Sequence, residues 1–340
     1  MLFPLDRKYV IINTLYLNKE AISLKSRITF ILSILLSTML CFSSCTDFFN
    51  VSESFENNQT DSGLSNSEAE NTAESLSSGD MSNGDVGELT ISIIDVGQGD
   101  AILVKTPGGK FVLIDAGVNT AKSKVLDFLN ANGVDRLDCA FFTHPHADHI
   151  GAAAEVVDSY KPDKVYMPNT SHTTKTFENL LAALERSPDT EVIEAKRGES
   201  LELDGVLFTV LSPIDEKYSD LNGYSIVLHI VYGSCSFLMM GDAEMKNEMQ
   251  ILDTGDNLKA DFIKLGHHGS STSSARAFIA AVDPAYAAIS CGTDNSYGHP
   301  HEQTLTLLAE LGIDVSRTDL NGTITVRSNG KTISVECEKN

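Results

Sequence analysis

The stretch "FFTHPHADHIGAA" at residues 141–153 places three histidines and an aspartate within six positions, directly behind an apolar run. In an extended chain, residues two apart point to the same side, so His144 and His146 can converge on one metal ion. Gly151 and the apolar helix read beyond it turn the chain, which lets Asp148 and His149 face a second ion about 3.5–4 Å away. Neutral imidazoles and carboxylates suit zinc, iron or manganese. A single HxH is commonly an ordinary polar turn, whereas HxHxDH set between a strand and a helix is a metal-site pattern. Further donors close other apolar runs. Asp242 ends "FLMMGD", where a carboxylate at the mouth of a strand can bridge two cations. His267 and His268 end "FIKLGHH", and His299 and His301 sit on the Gly/Pro loop "YGHPHE". Their recurrence at strand ends makes them a set.

These donors belong to a chain of 340 residues with a formal charge of −22, and its segments differ sharply. Near the start, Lys25 and Arg27 precede an apolar stretch from Ile28 to Leu40, and small residues precede Cys45. That order is the one of a secretory signal. An apolar core of about 13–15 residues is short of the roughly 20 that span a bilayer. Phe42-Ser43-Ser44-Cys45 resembles a bacterial lipoprotein processing site, although Phe42 stands where leucine is usual. Residues 1–45 are therefore read as a signal peptide of lipoprotein type with Cys45 as the lipidated residue. The expectation is an extracytoplasmic protein, anchored to the membrane by an N-terminal lipid or secreted. Residues 46–88 hold ten acidic and no basic side chains among Ser, Asn and Gly. They cannot bury enough apolar surface to offset the cost of ordering, and read as a disordered tether.

Residues 89–340 retain a charge of −15, from 20 basic and 35 acidic residues. An acidic face excludes strong, salt-sensitive attachment to duplex DNA unless metal ions or a local basic groove overcome it. Beyond Cys41 and Cys45, the cysteines Cys139, Cys235, Cys291 and Cys337 show no CxxC spacing, which rules out a zinc knuckle. Cys139 and Cys235 lie inside apolar runs and read as buried thiols.

The elements that must position the donors follow from periodicity. "LTISIIDV", "AILVKT" and "KFVLIDAG" read as strands separated by Gly-bearing turns. "TAKSKVLDFLNANG" reads as a helix stopped at Gly133. "DCAFFTH" reads as a buried strand running straight into the histidines, with "IGAAAEVVDSY" as the helix leaving them. A later series of strands and helices runs through "CSFLMMGD", "DFIKLGHHGS" and "AYAAISCG". Strand-rich, then mixed, then repeated, the pattern predicts an α/β domain over 89–340, with two mixed sheets packed together and covered by helices.

Taken together, "IIDVGQGDAILV", "VLIDAG", "THPHADHIG", "MMGDA", "IKLGHHGS" and "YGHPH" resemble the metallo-β-lactamase fold superfamily. Within it they resemble the hydrolase domain of ComEC-type competence DNA-uptake proteins, here without a channel's series of membrane helices. The resemblance implies a four-layer αββα sandwich and two divalent metal ions, zinc or manganese. It implies that His144 and His146 hold the first ion, Asp148 and His149 the second, and that Asp242 bridges them. The double histidine completes the second site, with His267 favoured and His268 its close rival. Asp115 would act from behind the ligands, fixing the histidine loop by hydrogen bonds. Most members of the superfamily carry a third histidine for the first metal, between HxHxDH and the bridging aspartate. Here the only histidine of the stretch "LSPIDEKYSDLNGYSIVLHI" is His229, which reads as a core or sheet-face residue. The ComEC-type group lacks that histidine too, and its Asn/Ser pattern is matched by Asn222 and Ser225. The first site is then the weaker one. His172, in "NTSHTTKT", reads as a surface residue.

Two adjacent cations lower the pKa of a water toward about 7. Asp148 can orient that water as well as bind metal. "GSSTSSAR", beginning with Ser270, offers hydroxyls before a helix whose N–H groups suit a phosphate. Ser270, Asn222 and Ser225 are thus the substrate-binding candidates. His299 could hand a proton to a leaving oxygen or hold a phosphoryl oxygen. The expected function is a metal-dependent hydrolase of phosphodiesters, acting on single-stranded nucleic acid or a small phosphodiester. The alternatives are a β-lactam or other ester hydrolase of the same fold, and a metal-binding envelope module without turnover.

Overall fold

Period-two alternation of apolar side chains dictates how each strand faces its neighbours in residues 87–339, the part described by the computed structural model. In chain order the strands are β1 (Leu89–Ile93), β2 (Ala101–Lys105), β3 (Phe111–Ala116), β4 (Cys139–Phe141), β5 (Lys164–Met167) and β6 (Glu191–Glu194). They continue as β7 (Ser200–Leu203), β8 (Val206–Ser212), β9 (Val227–Tyr232), β10 (Cys235–Met239) and β11 (Phe262–Lys264). The last are β12 (Tyr286–Ile289), β13 (Asp314–Arg317), β14 (Ile324–Ser328) and β15 (Ile333–Cys337). One sheet has the order β15-β14-β1-β2-β3-β4-β5-β6 and the other β13-β12-β11-β10-β9-β8-β7. Both are mixed. Antiparallel pairing gives way to parallel pairing at β3–β4 in the first sheet and at β10–β11 in the second.

The main helices are α1 (Lys122–Ala131), α2 (Ala147–Ile150), α3 (Ala153–Tyr160), α4 (Lys175–Arg186), α5 (Met245–Asp253), α6 (Arg276–Val282) and α7 (Glu302–Glu310). Three apolar clusters define the layers. Ile102, Ile114, Phe141, Phe208, Ile230, Phe237 and Phe262 fill the space between the sheets. Their neighbours along the strands, such as Leu113 and Ala140, turn outward onto Val125 of α1, Val156 of α3 and Leu181 of α4. On the far side, Leu238 and Ile263 meet Ile251 of α5, Phe278 of α6 and Leu308 of α7. Helix, sheet, sheet, helix is the four-layer αββα sandwich that the sequence predicts.

Local differences matter because they fall at the donors. The expected helix at 150–160 begins only at Ala153, as α3, and the separate short α2 before it carries Asp148 and His149. The expected strand into the histidines stops at Phe141. Two residues later the Thr143 N–H donates to the Asp115 carboxylate at 2.7 Å, so a side chain replaces the strand ladder and the chain bends away. His144 and His146 therefore converge in a bend beyond the strand and not in extended pairing. The leader, Cys45 and all of the tether before Gly87 lie outside the described residues. Cys139, Cys235, Cys291 and Cys337 are all free thiols.

Phe141 ties the two sheets together. Its ring stacks on Tyr166 at 4.6 Å and on Phe208 of the opposite sheet at 6.3 Å. Phe141→Ala is expected to cost about 3–5 kcal/mol of folding stability, measured by urea unfolding followed by circular dichroism. A loss below about 1 kcal/mol would refute the anchoring role.

Candidate metal centre

Both sheets deliver their parallel-strand ends to one place. β3 carries Asp115 as its penultimate residue, β4 leads to His144 and His146, β10 leads to Asp242, and β11 leads to His268. The turns that aim these side chains leave the common backbone regions: Asp115 has φ 58°, His267 φ 47° and His268 φ 53°. Such conformations cost of order 1–3 kcal/mol each for residues other than glycine, and persist where packing dictates them. Glycine is required at two close approaches. A Cβ on Gly99 would fall 2.2 Å from the Asp148 carbonyl oxygen, and one on Gly151 would fall 2.2 Å from the Asn119 nitrogen. These contacts seat α2, with Asp148 and His149, against the loops after β1 and β3.

Three groups of donors result among the described residues, one of them Asp100, Asp115 and His149 behind the centre, and the other two meet at Asp242. Asp148, His149, Asp242 and His268 form one, and His144, His146 and Asp242 the other, with ligand atoms within 4.8 Å of one another in each. Asp242 is common to both. Its Oδ1 lies 3.2 Å from His149 Nε2 and 3.5 Å from His268 Nε2, and its Oδ2 lies 3.8 Å from His144 Nε2. The outer nitrogens are already committed. His149 Nδ1–H donates to Asp115 at 2.7 Å, and His268 Nδ1–H donates to the Ser290 carbonyl at 2.9 Å. His144 Nδ1 faces the Thr143 hydroxyl at 3.1 Å. Each ring thereby aims Nε2 inward, the arrangement by which backing groups orient ligands.

The donor set fits a pair of cations. His149 Nε2, His268 Nε2 and Asp242 Oδ1 are buried, mutually facing and without a hydrogen bond. Buried polar atoms left unpaired are costly, and three aimed at one point mark a place for an ion. The field there is strongly negative. Burial alone would lower the pKa of His149, yet Asp242, Asp115 and Asp148 raise it well above the ordinary value. His268 is likewise raised to about 9, against burial, by Asp242, Asp100 and Asp148. The same field would hold divalent cations. His144, by contrast, is lowered by burial and by His149, and stays a neutral ligand.

Two residues that the motif reading does not assign complete the centre. Lys264 and Asp100, 0% and 2% exposed at their side chains, form a direct ion pair beneath the ligands. Lys264 Nζ also donates to the carbonyl of Gly241, the residue before Asp242, at 3.2 Å. Asp100 Oδ1 lies 3.5 Å from His268 Nδ1. A lysine inside the apolar strand "DFIKLG" was the available signal, because a charge at an inward strand position needs a partner.

The structure corrects the order of preference at the double histidine. His268 joins the donor group, whereas His267 turns outward to Glu244 at 3.0 Å and Thr272 at 3.1 Å. Ser225 and Ser270 are 0% and 2% exposed, which corrects the expectation that they meet substrate. Ser225 Oγ links His144 Nδ1 (3.4 Å) to the Asp242 N–H (3.2 Å), and Ser270 Oγ accepts from the Thr272 N–H at 3.2 Å. Asn222 stands at the rim, its Nδ2 3.5 Å from His267 Nε2. Asp148 is the ligand carboxylate with open surface, its side chain 30% exposed. His299 lies with its ring 5.4 Å from His267 and 6.2 Å from His268. Burial and the neighbouring histidines His268, His267 and His301 depress its pKa to about 4. A neutral ring at pH 7 can donate an N–H to a phosphoryl oxygen but carries no spare proton for a leaving group. His301 Nδ1 accepts from the Ser271 N–H at 2.8 Å and lies outside the donor groups. His229 bonds the Lys259 carbonyl at 3.1 Å, also away from the centre. His172, expected on the surface, is half-buried with its ring 6.1 Å from His146.

Comparison with known proteins bears on the family and the fold. The sequence profile of the Metallo-beta-lactamase superfamily matches residues 94–293. The chain is 35% identical over 257 residues to ComE operon protein 3 of Bacillus subtilis, covering 71% of this chain and 33% of that protein. It is 34% identical over 239 residues to Competence protein ComA of Neisseria gonorrhoeae, covering 70% of this chain and 32% of that one. The chain thus spans about a third of the length of these curated relatives. Among solved structures, CmlA, a diiron β-hydroxylase from Streptomyces venezuelae, superposes with a TM-score of 0.51 at 17% identity, covering 71% of this chain and 54% of that one. That likeness concerns the fold.

Two outcomes follow from the geometry. His268→Ala is expected to weaken the tighter metal site by more than the roughly 10–100-fold typical of losing a backing group, while His267→Ala leaves metal stoichiometry unchanged. Equilibrium dialysis with elemental analysis decides, and the reverse order would overturn the assignment. Lys264→Met strands the Asp100 carboxylate in the core and is expected to cost about 3–5 kcal/mol in chemical unfolding. Adding Asp100→Asn should recover most of it; no recovery would show that the pair is not coupled.

Proposed function

The chain belongs to the metallo-β-lactamase superfamily, and on that premise we propose that it is a dinuclear metal-dependent hydrolase of phosphodiester bonds. The observation that carries the reading is the sharing of Asp242 between two donor groups, with the inward atoms His149 Nε2, His268 Nε2 and Asp242 Oδ1 buried and without a hydrogen bond. When bound, two divalent ions supply an acidified water and neutralise charge developing on phosphoryl oxygens.

The chain's own groups do the positioning. His144, His146 and Asp242 would hold one ion, and Asp148, His149, Asp242 and His268 the other. Asp148 is held ionised by His149 and His268 against the effect of burial. Its exposed edge can accept a hydrogen bond from the attacking water and fix its direction. The neutral His299 ring donates to a phosphoryl oxygen, and Asn222 Nδ2 can reach the same rim. Ser225 and Thr143 act behind His144, and Asp115 acts behind His149.

The resemblance to competence proteins of the DNA-uptake type supports a nucleotide phosphodiester. The charge of −15 over residues 89–340 supports a small or single-stranded substrate over duplex DNA. The leader's charged, apolar and small-residue order, ending at Cys45, supports action outside the cytoplasm on a lipid anchor.

Bis(p-nitrophenyl) phosphate with Mn²⁺ or Zn²⁺ added in turn is the test. The expected result is turnover that chelator removes. Asp242→Ala should lower kcat/KM by about 10³-fold or more, the scale of losing a principal electrostatic stabiliser, with its circular dichroism spectrum unchanged. Full activity in that variant would refute the bridging role. Two bound metals without phosphodiester turnover would instead favour a carboxylic ester or lactam substrate.

A further inference from the structure

One aromatic side chain stands out among the described residues. The exposed large apolar side chains are Leu207, Met245, Met249, Leu320 and Tyr297, and Tyr297, 66% exposed, is both the most open and the only ring. It lies beside the metal centre. Its ring stacks on that of His299, with centroids 5.6 Å apart and an interplanar angle of 21°. His299 is 8% exposed and in turn neighbours His267 and His268. The loop that presents the pair is pinned. His299 N–H donates to Asn295 Oδ1 at 2.9 Å, while Asn295 Nδ2 donates to the His299 carbonyl at 2.6 Å and to the Gly292 carbonyl at 2.9 Å. Gly298, at φ 74°, makes the turn between the two rings. The Tyr297 hydroxyl makes no hydrogen bond among the described residues, so neither burial nor a polar contact accounts for an aromatic ring at this position.

We propose that Tyr297, backed by His299, is a stacking ledge that receives an unpaired nucleobase next to the phosphodiester held at the metal centre. The proposal rests on the phosphodiesterase reading and names the substrate class that reading would take. One face of the tyrosine ring lies on His299, and the exposure of the residue leaves the other for a ligand. The ledge is two ring steps from His268, within the reach of a single nucleotide. The charge of the folded part gives the idea its force. A domain carrying −15 gains little from phosphate neutralisation, so a nucleic acid must be held by contacts that ignore its charge. Base–aromatic stacking is such a contact, and every base offers a π-face, which gives preference for unpaired bases without sequence preference.

The experiment uses the full chain loaded with Mn²⁺ and two fluorescent single-stranded probes of equal length and charge. One is oligothymidylate and the other an oligomer of abasic sites, both with phosphorothioate linkages to slow cleavage, and affinity is read by anisotropy. The base-bearing probe is expected to bind roughly 5- to 150-fold tighter, the span of one stacked base. That advantage should vanish in Tyr297→Ala and persist in Tyr297→Trp, with weak dependence on salt. Equal binding of the two probes by the unaltered protein, or an advantage that survives Tyr297→Ala, overturns the ledge. Bis(p-nitrophenyl) phosphate turnover measured on the same preparations separates the two ideas. Turnover without base preference sinks the ledge alone, and base preference without turnover sinks the phosphodiesterase reading alone.

Discussion

Like charge packed in a small buried volume is the constraint on which this structure depends. Asp100, Asp115 and Asp242 are almost wholly buried, Asp148 is partly so, and all four lie within ion-pair distance of His149 or His268. The chain itself sets one permanent cation, Lys264, against these four carboxylates. Without metal the negative charge is offset only in part, by Lys264 and by the protons that the carboxylates hold on His149 and His268, and burying unpaired charge is among the most destabilising things a fold can do. The arrangement is rational only as a receptor for positive charge. Lys264 neutralises Asp100, three carboxylates remain, and two divalent ions would leave a single positive charge. A centre of that sign would attract an anionic ester even though the rest of the domain repels it.

The fold is the means of concentrating those groups. A single mixed sheet has one switch from antiparallel to parallel pairing, and the ends of its parallel strands open a crevice there. Two such sheets, packed on Phe141, Phe208 and Phe237, bring both crevices together. The first sheet supplies Asp115, His144, His146, Asp148 and His149; the second supplies Asp242, Lys264 and His268. Neither half holds a complete site. The strained backbone at Asp115, His267 and His268 is then a consequence of aiming side chains inward from strand ends over very few residues. It is tolerated because three layers of apolar packing over-determine the strands beneath it.

Much of this was legible in the sequence, for reasons that differ between elements. Near-continuous apolar runs such as those of β2 and β3 identify strands with two covered faces, and the order of strands and helices implies two mixed sheets. HxHxDH, the strand-end Asp242 and the double histidine identify the centre, because such donors rarely gather by chance behind apolar runs. What was not legible depends on direction. His267 and His268 differ by one residue, and only the left-handed turn at both positions decides that His268 faces inward. Ser225 and Ser270 were right in neighbourhood and wrong in exposure, since a hydroxyl beside a site can brace a ligand as readily as it meets substrate. Asp100 and Lys264 lie 164 residues apart, and no local pattern links them. The lysine's place in an apolar strand announces a partner without naming it.

The two donor groups that share Asp242 are unequal for the same geometric reason. His144, His146 and Asp242 offer three donors where the second group offers four. His229, the only histidine between residues 211 and 230, bonds the Lys259 carbonyl instead. In its stead Ser225 braces both His144 and the backbone of Asp242. A hydroxyl in that role fixes direction without adding a ligand, so an ion held by His144, His146 and Asp242 would have only three donors from the chain. Three donors at the first group, a partly exposed Asp148 in the second, and a neutral His299 at the rim make the outer side of the centre its accessible side. Selectivity would then come from what flanks the donor groups, because bound metals by themselves would discriminate little between one substrate oxygen and another.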